Sequence, residues 1–167
     1  MSAWYLIQTK PRQESLARIN LERQGYIIYL PRVSRQRARR QLTGEATAPL
    51  FPRYLFIHLN EGIDDWAPIR STLGVQALVR FGQIPARVPD ALIESIKSRE
   101  NEQGIHVLDK HRFSVGDRVR IIDGPFDGIE AVIFSKTAKE RTVLLMKLLE
   151  KYVKVEINDI NLEPAKH

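Results

Sequence analysis

The start of the chain contains two short apolar runs, with a segment of helically spaced apolar residues between them. Residues 4–7 are apolar and aromatic and predict a strand, and residues 26–30 predict a second one. Between them, residues 13–24 place apolar side chains at roughly helical spacing with basic residues on the other side. Gly25 is a typical helix stop and Pro31 a typical strand stop, so this region is expected to fold as strand, helix, strand.

Predicted strands and helices continue to alternate as far as about residue 102. Residues 51–59 predict a strand crowded with aromatic side chains, and residues 75–81 predict another. A short helix is expected at 63–71 and a longer one at 91–102, while the Arg- and Gln-rich segment 34–48 is expected to form a basic hairpin or loop. One antiparallel sheet with helices packed on it, an α+β fold, is the predicted architecture.

A second, smaller unit follows. Residues 113–122 and 129–135 predict two short strands around a turn cluster, and closely spaced short strands are typical of a small β-barrel. The expected division is a first domain at 1–102, a linker at 103–112 and a second domain at 113–167.

The last part of the chain has two interpretations. In residues 142–157, apolar side chains recur at helical spacing, yet residues 153–157 alternate as a strand would. The middle of this segment, residues 148–151, contains no Gly, Pro, Asn or Asp, which a barrel turn would need. A helical hairpin and a plain barrel with an unusual turn both stay open, and such conflicts between local propensity and topology often mark functional elements.

Charge is distributed unevenly along the 167 residues, whose net charge is +6. A basic half on an otherwise nearly neutral chain predicts a polyanionic partner, most simply nucleic acid, with a solubilising surface as the alternative. Within residues 1–60 the acids are Glu14, Glu22 and Glu45, and the basic residues are Lys10, Arg12, Arg18, Arg23, Arg32, Arg35, Arg37, Arg39, Arg40 and Arg53.

Several classes of chemistry are not indicated. The chain has no cysteine, and its four histidines lack metal-ligand spacing. No phosphate-binding loop, nucleophile elbow or dinucleotide fingerprint occurs, so we expect neither an enzyme nor a bound cofactor or metal. No signal peptide is evident and the apolar runs are shorter than the ~20 residues that span a membrane, so a cytoplasmic protein without membrane contact is expected.

Two sets of motifs carry a family resemblance. The second unit resembles a KOW motif through its turn residues, whose glycines permit a sharp turn between strands. The first unit resembles the N-terminal domain of NusG-family transcription factors in residues 4–5, 9–14, 49–56, 74–75 and 80–85, in the family's order. Within that family the chain is most similar to RfaH-type specialised antiterminators. The KOW turn residues are Gly116, Gly124, Pro125, Phe126 and Gly128.

This resemblance implies a function. It implies a monomeric elongation and antitermination factor that binds the clamp helices of the largest RNA polymerase subunit and the non-template DNA strand, reducing pausing and termination. It further implies a C-terminal domain that switches between a docked helical hairpin and a free barrel, the latter coupling to the ribosome through a small-subunit protein. The alternatives are a general NusG-like factor without autoinhibition and a KOW-type protein that binds ribosomal RNA.

The resemblance also implies which residues act. Because strand residues alternate between faces, about half of the aromatic polymerase-binding candidates are expected to be core. The polymerase-binding candidates are Leu6, Phe51, Pro52, Tyr54, Phe56, Phe81 and Ile93, with Thr72 and Gly74 near polymerase or DNA. The DNA-binding candidates are Lys10, Arg12, Gln13, Arg18 and Asn20. The switch face is expected to comprise Arg141, Leu144, Leu145, Leu148, Leu149 and Tyr152.

The chain departs from the RfaH pattern at several positions, including residues 65–68, where the family's polar His-Thr run is absent. RfaH-type proteins carry a glutamate at the position of Ala48, paired with an arginine that Arg141 matches. Closure is therefore expected to depend mainly on apolar contact. Leu16, Asn20 and Leu73 stand where basic residues or histidine are expected, so the DNA element that is read is not carried over.

Overall fold

A computed structural model describes residues 2–34, 47–106 and 128–165, with side chains described as far as Val155. The helices are α1 Glu14–Arg23, α2 Asp90–Ser98, α3 Ile129–Phe134 and α4 Ala138–Ala165, with a 3₁₀ turn at Ala67–Ile69. The strands are β1 Ser2–Thr9, β2 Ile27–Tyr29, β3 Arg32–Ser34, β4 Thr47–Pro49, β5 Tyr54–Asn60, β6 Val75–Leu78, β7 Arg80–Phe81, β8 Ile84–Pro85, β9 Arg87–Val88 and β10 Ile105–His106.

The main sheet is built around β1. It pairs antiparallel with β5 along its whole length, from Ser2 opposite Asn60 to Gln8 opposite Tyr54. On its other edge β1 pairs antiparallel with β6 and β9, and β2 pairs antiparallel with β5. The five-stranded order β2-β5-β1-β6, with β9 also on β1, confirms the predicted antiparallel α+β architecture.

Both faces of this sheet are buried, which explains why residues 4–7 are continuously apolar instead of alternating. Tyr5 and Ile7 point into a core with α1, while Leu6 points into a second core on the opposite face. The α1-side core includes Ala3, Ala17, Leu21, Leu55, Ile57, Leu59, Ile69 and Val75. The opposite core includes Phe51, Phe56, Val88, Leu92, Ile93, Ile96 and residues of α3 and α4.

Two small sheets flank the main one. β3 pairs antiparallel with β4 and parallel with β10, and β7 pairs antiparallel with β8. β10 falls inside the segment expected to be a linker, so Ile105 and His106 belong structurally to the first unit. The division of the chain into domains stays a prediction.

Two predicted elements differ from the structure. The helix expected at 63–71 is a single 3₁₀ turn, because Pro68 would lie in the interior of that helix, where it cannot donate the backbone hydrogen bond, whereas the first turn of a shorter helix tolerates it. The Ser71 and Thr72 hydroxyls then bond the Pro68 carbonyl at 3.1 and 2.9 Å and close the turn locally.

The strand expected at 129–135 is wrong: this segment is helix α3. Ile129, Val132 and Ile133 have the i, i+3, i+4 spacing of one helix face, and all three are buried. β-branched residues favour strands only weakly, and packing against α4 and the sheet overrides that preference here. The barrel strand expected at 113–122 lies outside the described residues.

The helical interpretation of the C-terminal segment is the one observed. α4 covers Ala138–Ala165 and packs on α3, so that the two helices form a hairpin joined by residues 135–137. We call α3 and α4 together the hairpin. It lies on the sheet face that also carries α2, opposite α1.

Candidate functional site

Four of the predicted polymerase-binding residues form one continuous apolar surface. Leu6 of β1 and Phe56 of β5 point to the same side of the sheet, and Phe51 and Ile93 pack beside them. The Phe51 and Phe56 rings meet edge to face, with centroids 5.9 Å apart. We call Leu6, Phe51, Phe56 and Ile93 the apolar surface; half-buried Tyr54 and Phe81 lie at its margin, and Pro52 is exposed beside it.

The hairpin helps to bury this surface. None of the four residues is more than 2% exposed, and all four belong to one buried cluster with side chains of α2, α3 and α4. The exposed patch that the sequence suggested is therefore an internal interface in this structure. The covering residues are Ile129, Val132 and Ile133 of α3 and Leu145, Leu148 and Leu149 of α4, with Leu144 partly buried against the same cluster.

The predicted switch face is thus largely the interface. Leu145, Leu148 and Leu149 are buried, while Leu144 and Tyr152 are half-buried. Val143 on the same helix is 45% exposed and marks its outer side. Burying each leucine contributes about 1.5–3 kcal/mol, so α4 is held mainly by packing.

Arg141, which was expected on the switch face, makes polar contacts whose acceptors the sequence did not reveal. It is only 3% exposed, and its Nε donates to the Leu50 carbonyl at 3.0 Å across the interface. Its Nη1 donates to the Ser135 and Lys136 carbonyls at 3.0 and 3.3 Å, at the end of α3. Burial lowers the pKa of Arg141, an effect that neighbouring Glu140 opposes. Backbone carbonyls therefore take the place of the missing glutamate as acceptors.

A second basic residue also contacts the hairpin. The Arg99 guanidinium lies 4.7 Å from the centroid of the Phe134 ring, a cation–π contact between the end of α2 and α3. No sequence signal distinguished this arginine from a solvated one, because its partner is distant in sequence.

The predicted DNA-binding residues gather at the opposite side, around the start of α1. Lys10 and Arg12 are exposed, whereas Gln13, Arg18 and Asn20 are half-buried. We call these five residues the polar face. Arg18 Nε lies 4.0 Å from Glu22 Oε1, and a surface ion pair of this kind contributes little to stability.

A groove runs beside the polar face, with a volume of about 430 Å³. Gln24 fixes one wall by donating from Nε2 to the Thr72 hydroxyl at 2.8 Å and to the Asn20 carbonyl at 3.1 Å. Thr72 and Gly74, proposed near polymerase or DNA, thus lie with α1 and not on the apolar surface. The groove is lined by Asn20, Arg23, Gln24, Pro68, Ser71, Thr72 and Leu73.

Gly74 is required where it stands. Its φ is +94°, and an added Cβ would lie 2.8 Å from the Ala17 backbone nitrogen. The Gly74 carbonyl also accepts a bond from the Lys10 N–H at 2.9 Å. This turn therefore holds the end of β1 close to α1.

Glu14 is a structural residue that sequence reasoning missed. Its carboxylate, 8% exposed, accepts a bond from the Arg53 N–H at 2.9 Å. Arg53 has a positive φ of 73°, and its carbonyl accepts from the Thr9 N–H at 2.7 Å. Glu14 thereby stabilises the strained turn that joins the apolar surface to the polar face.

The KOW turn lies mostly outside the described residues, as do Gly116, Gly124, Pro125 and Phe126. Gly128 is described, and it precedes α3 with a φ of +97° instead of forming a barrel corner. The basic arginines between residues 35 and 40 also lie outside the described residues.

Metal sites and membrane-spanning helices are absent from the part of the chain that the structure describes. No group of three or more His, Asp or Glu side chains is placed to hold a metal ion there. Among the helices in those ranges, none combines the length and apolar character needed to cross a bilayer.

Known proteins resemble this chain along most of its length. A family profile described as "Transcription termination factor nusG" matches residues 2–97. The transcription termination/antitermination protein NusG of Chlamydia pneumoniae is 31% identical over 46% of this chain and 42% of its own length. The NusG proteins of Chlamydia trachomatis and Thermus thermophilus are 25% and 26% identical over 80% and 74% of this chain, and over 78% and 76% of their own lengths.

A solved structure, "Domain interaction in Thermotoga maritima NusG", is also similar, with a TM-score of 0.48 and 23% identity over 76% of each chain. Because the family profile covers more than half of the sequence, this chain belongs to the NusG family of transcription termination factors.

Proposed function

We propose that this protein is an RfaH-type elongation and antitermination factor whose apolar surface binds the clamp helices of the largest RNA polymerase subunit. The observation that carries the proposal is the burial of Leu6, Phe51, Phe56 and Ile93 beneath the hairpin. A continuous apolar surface of this kind suits an apolar helical partner, because partner helices bind in hydrophobic grooves.

The hairpin acts as an intramolecular competitor for that surface. While α4 is docked, polymerase helices have no access to Phe56 or Leu6, so the resting protein is autoinhibited. The docked and released states need differ in free energy by only a few kcal/mol for polymerase or DNA to shift the equilibrium between them. The ambiguous pattern of residues 142–157 supports this, because a released segment has a strand pattern available to it.

The polar face contacts the non-template DNA strand. Lys10 and Arg12 are exposed and carry charge suited to phosphate, while Gln13 and Asn20 carry amides suited to base edges. The groove beside Asn20 and Thr72 gives an exposed base a place to lie. The released KOW domain would then be free to bind a small-subunit ribosomal protein.

The experiment measures retention of core RNA polymerase by the full-length chain and its variants. Leu149→Glu places a charge in the buried interface and is expected to release the hairpin and raise polymerase binding at least tenfold. Val143→Glu, at an exposed position on the same helix, is the matched control and should leave binding unchanged. Adding Tyr54→Ala to the Leu149→Glu chain should lower binding again.

The general NusG-like alternative has a distinct outcome. The relatives named above are all called NusG, and a general NusG-like factor without autoinhibition is the second candidate. That alternative predicts that the unaltered chain binds polymerase as tightly as Leu149→Glu does. Absence of polymerase binding by every variant would instead favour a KOW-type protein that binds ribosomal RNA.

A further inference from the structure

His106 of β10 is almost fully buried in the first unit, within reach of the charge of Arg141 in the hairpin. It is 1% exposed, and β10 places it beside Val33 of β3. Its Nδ1 has no hydrogen-bond partner among the described residues, while the imidazole bonds the backbone of Ile96 near the end of α2. An unpartnered buried polar atom costs about 1–3 kcal/mol, so this histidine is not optimised for stability.

Charged groups approach His106 from each surrounding element. Arg141 of α4 and Arg99 after α2 are both near enough to repel a protonated imidazole. Two neighbouring ionisable residues have partners of their own: Glu100, which forms an isolated antiparallel bridge with His106, accepts a bond from the Tyr29 hydroxyl, and Arg32 of β3 donates to the Thr47 hydroxyl. A proton on His106 would therefore place a third positive charge beside two arginines.

The direction of the resulting pH dependence follows from the burial. Desolvation, then the charges of Arg141 and Arg99, lower the pKa of His106 to about 4 in the docked structure, and the bond to Ile96 only partly opposes them. Releasing the hairpin removes the Arg141 charge, so the pKa of His106 rises from about 4 toward the ~6.5 of an exposed histidine. Because the docked pKa is the lower one, docking is fully stable above about pH 6.5 and weakens as the pH falls toward about 4.

Building on the proposed function, we propose that His106 is an acid-sensitive latch, whose protonation beside Arg141 and Arg99 releases the hairpin and uncovers the apolar surface. Between pH 7.5 and 5.5 the ratio of released to docked hairpin should rise by as much as about tenfold. Carboxylates titrate mostly below this window, with ordinary pKa values near ~4, so they contribute little to the change.

Hydrogen exchange of the intact chain tests the latch, because it detects a minor released population. The protection factors of the Leu145 and Leu149 amides, corrected for intrinsic exchange, are expected to fall by as much as about tenfold from pH 7.5 to 5.5. Amides of β5 should keep their protection, which distinguishes release of the hairpin from global unfolding.

Two substitutions identify the titrating group. His106→Gln retains a donor for Ile96 but cannot be protonated, so its α4 protection should not change across the window. His58→Gln removes a histidine that packs on the Trp4 ring and should leave the pH response intact. A direct reading that needs no substitution is NMR titration of the His106 ring, whose pKa should lie well below 6.5.

These measurements distinguish failure of the His106 latch from failure of the docked hairpin. If α4 is protected at pH 7.5 but His106→Gln responds to pH as the parent does, or if His106 titrates at 6.5 or above, the latch is overturned and the autoinhibitory hairpin stands. If the α4 amides of the parent chain are unprotected even at pH 7.5, the docked hairpin itself is refuted, together with the latch that depends on it.

Discussion

Leu145→Ala tests whether packing on the apolar surface, and not intrinsic propensity, keeps α4 helical. Leu145 is 0% exposed and belongs to the cluster that contains Leu6 and Phe56. Replacing a buried leucine with alanine removes about 2–5 kcal/mol of packing free energy. Alanine is a better helix former than leucine, so propensity alone predicts a small change in the opposite direction.

The loss should appear as a larger population of released hairpin. A penalty of that size raises the ratio of released to docked hairpin by about 30- to 5000-fold. Limited trypsin cleavage after Lys147 and Lys151, followed by mass spectrometry, reports this fraction when opening is fast relative to cleavage. Val143→Ala is the matched control, because Val143 is 45% exposed on the same helix. Equal cleavage rates for the two variants would refute the reasoning.

Three further predictions test the remaining parts of the structure. Arg141→Met removes the bond to the Leu50 carbonyl and should weaken docking by about 1.5–3 kcal/mol, measured by hydrogen exchange of the α4 amides. An unchanged exchange rate would mean that this hydrogen bond does not stabilise the docked hairpin. Gly74→Ala should lower the free energy of unfolding by at least about 1 kcal/mol more than Gly62→Ala, because both glycines have positive φ but only an added Cβ at Gly74 would contact the Ala17 backbone. Urea titration measures both losses, and equal losses would contradict the close approach of Gly74 to Ala17. Lys10→Ala should reduce the salt dependence of single-stranded DNA binding by about 0.7 in log–log slope, and an unaltered slope would remove this lysine from the DNA-binding surface.

The N-terminal sheet was largely predictable from local pattern. The apolar run that became β1, the helical spacing that became α1 and the aromatic strand that became β5 all carried clear periodicity. Their burial on two faces follows from the same residues, because Leu6 and Ile7 necessarily point to opposite sides of one strand.

The hairpin was only half predictable. The leucine spacing of α4 favoured a helix, but the β-branched residues of α3 favoured a strand, and only their contact with α4 decided the outcome. Local propensity is a weak guide when a segment has two compatible packings.

The polar contacts across the interface were the least predictable part. Closure was expected to depend mainly on apolar contact, yet Arg141 bonds backbone carbonyls, which every sequence possesses. The environment of His106 likewise combines distant segments, because Ile96 of α2 bonds its imidazole and the charge of Arg141 of α4 reaches it. Such contacts between distant segments leave no periodicity in the sequence.

The central claim is that the hairpin covers the apolar surface in the resting protein. The most direct test is solution NMR of the intact chain, with carbon chemical shifts for residues 138–155 and contacts between the Leu145 or Leu149 methyls and the Phe56 ring. The structure predicts helical shifts and those methyl–ring contacts in the absence of polymerase and DNA. Strand shifts in this segment, with no contact to Phe56, would contradict the claim and favour a freely tumbling barrel.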